Sequence, residues 1–190
     1  MTAQSSTSVS PWVDKFARLV PTSGMVLDLA CGGGRHTGLF LDRGNQVMAL
    51  DRDTTGLTAY EDNTACEIVS FDLEVPNLID ANQTAIDYGP HLPFYERDLA
   101  CIVVVNYLYR PLLPVLPQAL RPGGLLIYQT FMRGNEAYGR PRNPEFLLAS
   151  RELPETFQTD LEEIDFFEGY IESPKPAMIQ GYCGRKISGV

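Results

Sequence analysis

Three glycines stand between two acidic residues in the first third of the chain, and their spacing suits the binding of a nucleoside. The stretch reads VLDLACGGGRHTGLFLDRGNQVMALDRD, residues 26 to 53. Gly32 and Gly34 let the backbone turn and approach a ligand closely, and a helix that starts there points its free N–H groups at that ligand. Asp51 ends a second apolar run, where a carboxylate can accept hydrogen bonds from ribose hydroxyls. The pattern predicts a cofactor that contains adenosine.

Two departures from known phosphate-binding patterns narrow the choice of cofactor. The P-loop pattern GxxxxGK[ST] is missing, which disfavours a nucleoside triphosphate. A dinucleotide turn GxGxxG that starts at Gly32 needs glycine at position 37, where the chain has Thr37. The carboxylate of Asp28 would repel a pyrophosphate, whereas it would attract a sulfonium and an α-ammonium group. The alternative without a ligand is a plain tight turn, with Asp51 capping the next helix.

This stretch resembles the first and second motifs of class I S-adenosylmethionine (SAM)-dependent methyltransferases. In the first motif, D/E-x-G-x-G-x-G, the chain has Asp28, Ala30, Gly32 and Gly34, so alanine replaces the first glycine. SFDLE resembles the third motif, which implies that Asp72 accepts a hydrogen bond from adenine; a simple turn residue is the alternative. LACIVVVNYL resembles the fourth motif and ends in Asn106 and Tyr107, and LRPGGLLIYQTF resembles the segment after it.

The resemblance implies a fold, a cofactor and the residues that hold it. The fold is a doubly wound α/β sheet of seven strands in the order 3-2-1-4-5-7-6, with strand seven antiparallel, in a three-layer sandwich. The cofactor is SAM, which leaves as S-adenosylhomocysteine (SAH). The residues implied at the cofactor are Asp28, Ala30, Cys31, Gly32, Gly34, Asp51, Arg52, Asp72, Leu73, Asn106 and Tyr107. In its size and its CGGGR turn, the chain is similar to the small stand-alone methyltransferases of the tellurite-resistance type.

Apolar and amphipathic stretches alternate along the chain, and this alternation independently favours a doubly wound, mostly parallel sheet. Strands are predicted over 25–30, 46–51, 66–71, 99–106 and 125–131. Helices are predicted over 10–20, 35–43, 54–64 and 110–120, the last distorted by its prolines, and another helix begins within 144–152. LEEIDFFEGYI and PAMIQGYCGRKI predict two antiparallel strands, because so few residues separate them. Residues 74–92 give the weakest pattern, part helix and part loop.

Composition limits the compartment and the class of partner. The 190 residues carry a net charge of −9, without the basic stripe of a nucleic-acid-binding protein. The four cysteines form no CxxC pair, which favours reduced thiols and predicts no metal site. The polar N-terminus is no secretory signal, and no apolar run approaches the roughly 20 residues of a membrane span. We expect a flexible tail at 1–10, then a single domain at 11–190, in a cytoplasmic protein.

Arginines after the fourth and fifth strands predict a site for a small acceptor. The loop MRGNEAYGRPRNPEFLL carries Arg133, Arg140 and Arg142, and Arg110 follows the fourth strand. Guanidinium groups suit carboxylate, phosphate and other oxyanions. We therefore expect an anionic acceptor beneath a lid formed by 133–147. The alternative is a solvated loop stiffened by its prolines.

No general base stands out, although methyl transfer needs one only if the nucleophile arrives protonated. Tyr107, Tyr109 and His36 are candidates by position alone, and His36 could equally be a solvated residue at a helix start. Two other functions remain open. One is a non-catalytic SAM-binding interaction protein whose acidic stretch 152–172 recruits a partner. The other is a Rossmann-type oxidoreductase that binds NAD(P).

Overall fold

The computed structural model describes residues 8–74 and 91–187, and both parts contribute strands to one sheet. In chain order the strands are β1 (Met25–Leu29), β2 (Gln46–Asp51), β3 (Cys66–Ser70), β4 (Leu99–Val105), β5 (Leu120–Phe131), β6 (Leu161–Ile171) and β7 (Ala177–Lys186). They lie in the order β3-β2-β1-β4-β5-β7-β6. The first five are parallel, whereas β7 runs antiparallel to β5 and β6. The predicted strand order and the antiparallel last strand are confirmed.

Four α-helices flank the sheet in the described residues. They are α1 (Pro11–Ala17), α2 (Arg35–Asp42), α3 (Leu116–Ala119) and α4 (Glu152–Phe157). Ser10 caps α1, because its hydroxyl oxygen accepts hydrogen bonds from the N–H groups of Trp12 and Val13. No helix in these parts of the chain is long and apolar enough to cross a membrane.

Two helical predictions were too long. The stretch 54–64 contains a 3-10 helix at Thr55–Tyr60, because its threonines and glycine are poor helix formers. The stretch 110–120 contains a 3-10 turn at Arg110–Leu112 and then the four residues of α3. Its prolines lack the N–H donors that a continuous helix needs.

Two further boundaries differ from prediction. The helix expected within 144–152 begins at Glu152, after a separate 3-10 turn at Pro144–Phe146. The RPGG segment, which precedes the strand predicted over 125–131, belongs to β5, and a register shift against β4 accommodates it. Most of the stretch 74–92 lies outside the described residues.

Helices cover both faces of the sheet, so the core forms two layers. Leu27 and Leu29 of β1 pack in one cluster with Phe157 of α4. Val26, which points to the opposite face, packs with Val13 of α1 and Phe40 of α2. With both faces covered, the carboxyl ends of the parallel strands are the place left for a ligand.

The chain just before α1 packs against this same end of the molecule. Trp12 anchors α1 on β7, where its indole N–H donates to the carbonyl of Tyr182 at 3.3 Å. A Cβ on Gly181 would lie 2.7 Å from the Trp12 ring, so only glycine permits the contact. Of the predicted tail, residues 1–7 lie outside the described residues, whereas Ser10 is buried.

Candidate active site

The glycine turn between β1 and α2 is packed on one side and open on the other. Gly32 and Gly34 have φ angles of +55° and +73°, in the left-handed region that favours glycine. A Cβ on Gly34 would lie 2.7 Å from side-chain atoms of Leu57 and Tyr60. A Cβ on Gly32 or Gly33 would meet no described atom within 4 Å. The open side leaves room for a ligand against the backbone.

Asp51 joins this turn to the end of β2. The N–H of Gly32 donates to Asp51 Oδ2 at 2.8 Å, and the N–H of Asp53 donates to Asp51 Oδ1 at 3.0 Å. Each carboxylate oxygen has a second lone pair, so the side chain can still accept hydrogen bonds from a ligand. The two loops and the carboxylate thus form one preorganised edge.

A cleft of about 410 Å³ lies beside this edge, and many of the predicted cofactor residues line it. These are Ala30, Asp51, Arg52, Asp72, Leu73, Asn106 and Tyr107. Phe71, Glu74 and Phe146 also line it, although none of the three was predicted as a cofactor residue. Phe146 reaches the cleft from the loop after β5, and no local motif could indicate this long-range contact.

Two cleft residues have unusual backbone conformations. Ala30, which replaces the first glycine of the motif, has a φ of 54°, and Asn106 at the end of β4 has a φ of 60°. Asparagine tolerates this region, whereas alanine is strained there by about 1 kcal/mol or more. The turn therefore keeps the conformation of a glycine-rich loop although one glycine is missing.

Asp28 and Cys31 lie beneath the turn, away from the lining of the cleft. Asp28 is 1% exposed and accepts a hydrogen bond from the hydroxyl of Thr37 at 2.7 Å. Burial raises the pKa of Asp28 to about 6, although the hydrogen bonds from Thr37 oppose that shift. Burial also raises the pKa of the Cys31 thiol well above its ordinary range. The threonine that departs from the dinucleotide pattern thus holds the buried acid of the motif.

His36 is buried and bonded within the protein. Its Nε2 accepts a hydrogen bond from the N–H of Ser10 at 3.2 Å, and its Nδ1 lies 4.0 Å from Asp28 Oδ1. Burial, assisted by the charge of Arg35, lowers the pKa of His36 to about 3. A neutral imidazole whose acceptor nitrogen is already occupied is poorly placed to take a proton from a substrate.

The two tyrosine candidates occupy different positions. Tyr107 lines the cleft, and its carbonyl accepts a hydrogen bond from the hydroxyl of Tyr128 at 2.9 Å. Partial burial raises the pKa of Tyr109, and the nearby carboxylates of Glu74 and Asp72 raise it further. These surroundings disfavour the phenolate that Tyr109 would need in order to act as a base.

A second cavity, of about 580 Å³, adjoins the cleft and shares Asn106 with it. Its walls come from the chain before α1, the end of β5, the loop after β5 and the β6–β7 turn. Among the described residues that line it, the charged side chains are those of Arg35, Arg140 and Lys175, and none is a carboxylate. Arg140 was predicted, whereas Arg35 and Lys175 were missed. The place of Arg35 directly after the glycine turn could have indicated it.

The other three predicted arginines are placed elsewhere. Arg110 donates to both carboxylate oxygens of Glu152, at 2.7 and 3.1 Å, and to the carbonyls of Glu145 and Leu147. Arg110 and Arg133 line a separate cavity of about 610 Å³. The Arg142 Nε donates to the carbonyl of Gly139 at 3.2 Å. The four arginines therefore do not meet around one ligand, because Arg110 is engaged in holding the loop that carries the others.

Comparisons with known proteins bear on the fold. No model of a protein family matches the sequence, and no curated protein matches it either. Among solved structures, TehB of Haemophilus influenzae is 19% identical, with a TM-score of 0.66, over 92% of this chain and 61% of TehB. The chain thus spans about three fifths of that protein. Other similar structures are SAM-dependent methyltransferases, one of them TehB-like.

The chain has the class I methyltransferase fold. Another similar structure is the 1,6-didemethyltoxoflavin-N1-methyltransferase of Burkholderia thailandensis with bound SAH. It is 16% identical with a TM-score of 0.64, over 93% of this chain and 76% of that one. A third is the [4+2]-cyclase SpnF, 12% identical with a TM-score of 0.68, over 98% of this chain and 86% of that one. Because a cyclase shares the fold, the reaction must be argued from the site.

Proposed function

We propose that the protein is a SAM-dependent methyltransferase that acts on a small anionic acceptor. The observation that supports this most directly is the junction at Asn106. On one side lies the cleft, lined by Asp51, whose carboxylate accepts a hydrogen bond from Gly32 of the open glycine turn, and on the other lies a cavity with cationic walls. A methyl donor and an acceptor held in these two spaces would meet at the end of β4.

In this proposal the cleft holds SAM through the edge formed by the glycine turn and Asp51. The carboxylate of Asp51 accepts hydrogen bonds from the ribose hydroxyls, and the exposed carboxylate of Asp72 accepts one from the adenine amino group. The open space beside Gly32 and Gly33 accommodates the cofactor against the backbone. Asp28 and Cys31 act indirectly, by supporting the turn from beneath.

The protein's part in the reaction is to position the two reactants and to exclude water. Bound SAM supplies a methyl group that is already activated by its sulfonium. Alignment of two bound reactants contributes up to roughly 7–11 kcal/mol in favourable cases. Asn106 and Gln129 lie side by side where the two spaces join, since the Asn106 N–H donates to the Gln129 carbonyl at 2.9 Å.

The proposed acceptor is anionic because of the charges around the second cavity. A chain with a net charge of −9 repels anions at long range. Cations grouped around one cavity offset that repulsion locally, and they favour the binding of an anion there. Within the described residues, Arg140 and Lys175 have no ion-pair partner, which leaves their charges available to an acceptor.

Calorimetry and product analysis test the proposal. We expect SAM and SAH to bind, and NAD to bind more weakly than either. Screening small anionic metabolites for SAH release should then yield turnover. Tighter binding of NAD would favour an oxidoreductase, whereas SAM binding with no turnover of any anion would favour a SAM-binding interaction protein or a different reaction.

A further inference from the structure

Gln129 lies beside Asn106, the residue that lines both the cleft and the second cavity. It lies near the carboxyl end of β5, beside Asn106, and its side chain lines the second cavity. The residue is 9% exposed, so its amide is held in a mostly buried setting. A buried amide with one end toward a cavity presents either a donor or an acceptor, and which of the two it presents affects ligand choice.

Ser10 determines which end of this amide faces the cavity. The Ser10 Oγ accepts hydrogen bonds from the N–H groups of Trp12 and Val13, at 3.1 and 3.4 Å. A serine hydroxyl has two lone pairs and one hydrogen, so the hydrogen remains for donation. It is donated to Gln129 Oε1 at 2.5 Å. With the amide oxygen engaged by Ser10, the amide NH₂ group is left for the cavity.

Ser10 is itself fixed on its backbone side. Its N–H donates to Nε2 of the buried His36, which can accept that bond because it is neutral. Arg35, the residue before His36, donates to the carbonyl of Ser8 at 3.2 Å. The chain from Ser8 to Ser10 therefore forms a wall of the cavity that is tied to the start of α2.

The remaining walls of the cavity combine cations with apolar groups. Arg35, Arg140 and Lys175 supply positive charge, and Phe131, Ile171 and Ile179 supply apolar surface. The three cationic side chains are hydrogen-bond donors, and so is the NH₂ group of Gln129. Such a lining suits an oxyanion carried on an apolar body.

We infer that Gln129 is a specificity-determining residue of the acceptor site. Its amide NH₂ group, oriented by Ser10, donates to an oxyanion of a small acceptor with an apolar body. This inference rests on the proposed function, since it concerns the acceptor side of the same site. Carboxylates and phosphate monoesters share the required chemistry, and the probes below distinguish them.

The test measures binding to the SAH-saturated protein by calorimetry. The probes are benzoate, phenyl phosphate and benzamide, the last a neutral molecule of nearly the same shape as benzoate. We expect at least one of the two anions to bind about tenfold or more tightly than benzamide. Gln129→Glu, which replaces the NH₂ group by a negative oxygen, should weaken that anion about 10- to 100-fold, as expected for a lost charge-assisted hydrogen bond. Binding of SAH should stay within about twofold.

Two further variants separate the role of Gln129 from stability. Gln129→Met removes the donor without adding a buried charge, and it should also lower the ratio of anion to benzamide affinity. Ser10→Ala frees the amide to rotate and should lower the same ratio by about threefold or more, and it also weakens α1 through the lost cap. Asp14→Gly, on the exposed side of α1, is the matched control, because it weakens the helix and should leave the ratio unchanged.

The inference is overturned if Gln129→Glu and Gln129→Met leave the ratio unchanged, or if Ser10→Ala and Asp14→Gly lower it equally. It also falls if neither anion binds at millimolar concentration, or if benzylammonium binds the wild type better than benzoate does, which would place the amide oxygen in the cavity. A protein that binds no SAH contradicts the proposed function instead, so the two failures are distinguishable.

Discussion

The carboxylate of Asp51 both connects two loops and lines the cleft. It accepts hydrogen bonds from the N–H groups of Gly32 and Asp53, and it lines the cleft. The first task holds the two loops in register before any ligand arrives. The second, in the proposed function, uses the remaining lone pairs for the ribose. A carboxylate that is already ordered loses little conformational freedom when the cofactor binds.

Replacing Asp51 should therefore weaken SAH binding strongly. In the proposed function, Asp51→Ala removes two charge-assisted hydrogen bonds to the ribose, each worth on the order of 1.5–3 kcal/mol. Asp51→Asn keeps the shape and one acceptor oxygen, so its loss should be smaller. Calorimetric titration with SAH gives both values, with Asp53→Asn on the neighbouring exposed position as the control. Affinity of Asp51→Ala within twofold of the wild type would contradict a role in cofactor binding.

The buried carboxyl of Asp28 should make the protein less stable as pH rises. Burial raises its pKa from 3.8 to about 6, so between these values the folded protein holds a proton that the unfolded chain has lost. Stability contributed by that proton is present below pH 3.8 and is lost as pH rises through about 6, by roughly 3 kcal/mol. Asp28→Asn cannot ionise, so its stability relative to the wild type should increase from pH 4 to pH 7.

Urea unfolding at both pH values measures this difference. Asp42→Asn on the exposed side of α2 removes the same charge and should show no such increase. If the free energies of unfolding of the wild type and Asp28→Asn differed by the same amount at pH 4 and pH 7, the predicted rise in the pKa of Asp28 would be wrong.

Residue types predicted the lining of the cleft better than the lining of the second cavity. Asp51 ends β2 and Asn106 directly follows β4, and the carboxyl ends of the parallel strands β2, β1 and β4 lie at one edge of the sheet. The role of Arg110 depends on Glu152, 42 residues further on, and no local pattern reveals which carboxylate a long side chain will meet. Gln129 carries no charge, and the segment LRPGGLLIYQTF does not mark it as a binding residue, so the role inferred for it rests on its contact with Ser10.

At the scale of elements, the guanidinium of Arg110 joins the 3-10 turn after β4 to the loop before α4. Arg110 bonds the carboxylate of Glu152 and the carbonyls of Glu145 and Leu147. The hydrogen bonds to Glu152 raise the pKa of Arg110, so it stays charged throughout the accessible range. The loop held in this way includes Phe146, which lines the cleft.

Breaking this contact should destabilise the protein more than removing a neighbouring arginine. Arg110→Ala leaves a half-buried carboxylate and two carbonyls without their donor, and we expect a loss of about 1–3 kcal/mol in urea unfolding. Arg110→Lys should recover only part of it, because an ammonium cannot form the same fork. Arg142→Ala is the control, with an expected change within about 0.5 kcal/mol. Equal losses for Arg110→Ala and Arg142→Ala would contradict the structure.

The strands were predicted to within a few residues, whereas the short helices were not. Strands such as β4 are buried on both faces and appear as continuous apolar runs, which give a clear pattern in the sequence. The stretch 54–64 has little intrinsic preference, and its 3-10 helix is held by contacts such as the Tyr60 hydroxyl donating to the Gly34 carbonyl at 3.1 Å. Tertiary contacts of this kind determine short elements, and they have no local signature.

At the scale of the whole molecule, the charges are unevenly distributed. The stretch 152–172 holds eight carboxylates, yet several of them have partners within the chain. Glu152 pairs with Arg110, Asp165 pairs with Lys15 at 2.5 Å, and Glu168 accepts from the Ser150 hydroxyl at 2.8 Å. The acidic stretch thus serves partly to hold neighbouring elements. In the proposed function, the cations around the second cavity attract an anionic acceptor against the negative field of the rest of the molecule.

Because local positive charges oppose an overall negative charge, added salt should weaken anion binding in the wild type and strengthen it in a variant that lacks the local charges. In the wild type the nearby charges of Arg140 and Lys175 should dominate, so raising the ionic strength should weaken the binding of benzoate or phenyl phosphate to the SAH-saturated protein. In the double variant Arg140→Gln/Lys175→Gln the negative field of the molecule should dominate. Salt then screens repulsion, and binding, although weaker, should improve as the Debye length falls from about 10 Å at 0.1 M to about 3 Å at 1 M. Calorimetry across this range measures both slopes, with Arg133→Gln/Arg142→Gln as a control, because it removes the same two positive charges at positions that do not line the second cavity. Parallel slopes in the wild type and the Arg140→Gln/Lys175→Gln variant would show that the two side chains do not face the bound anion.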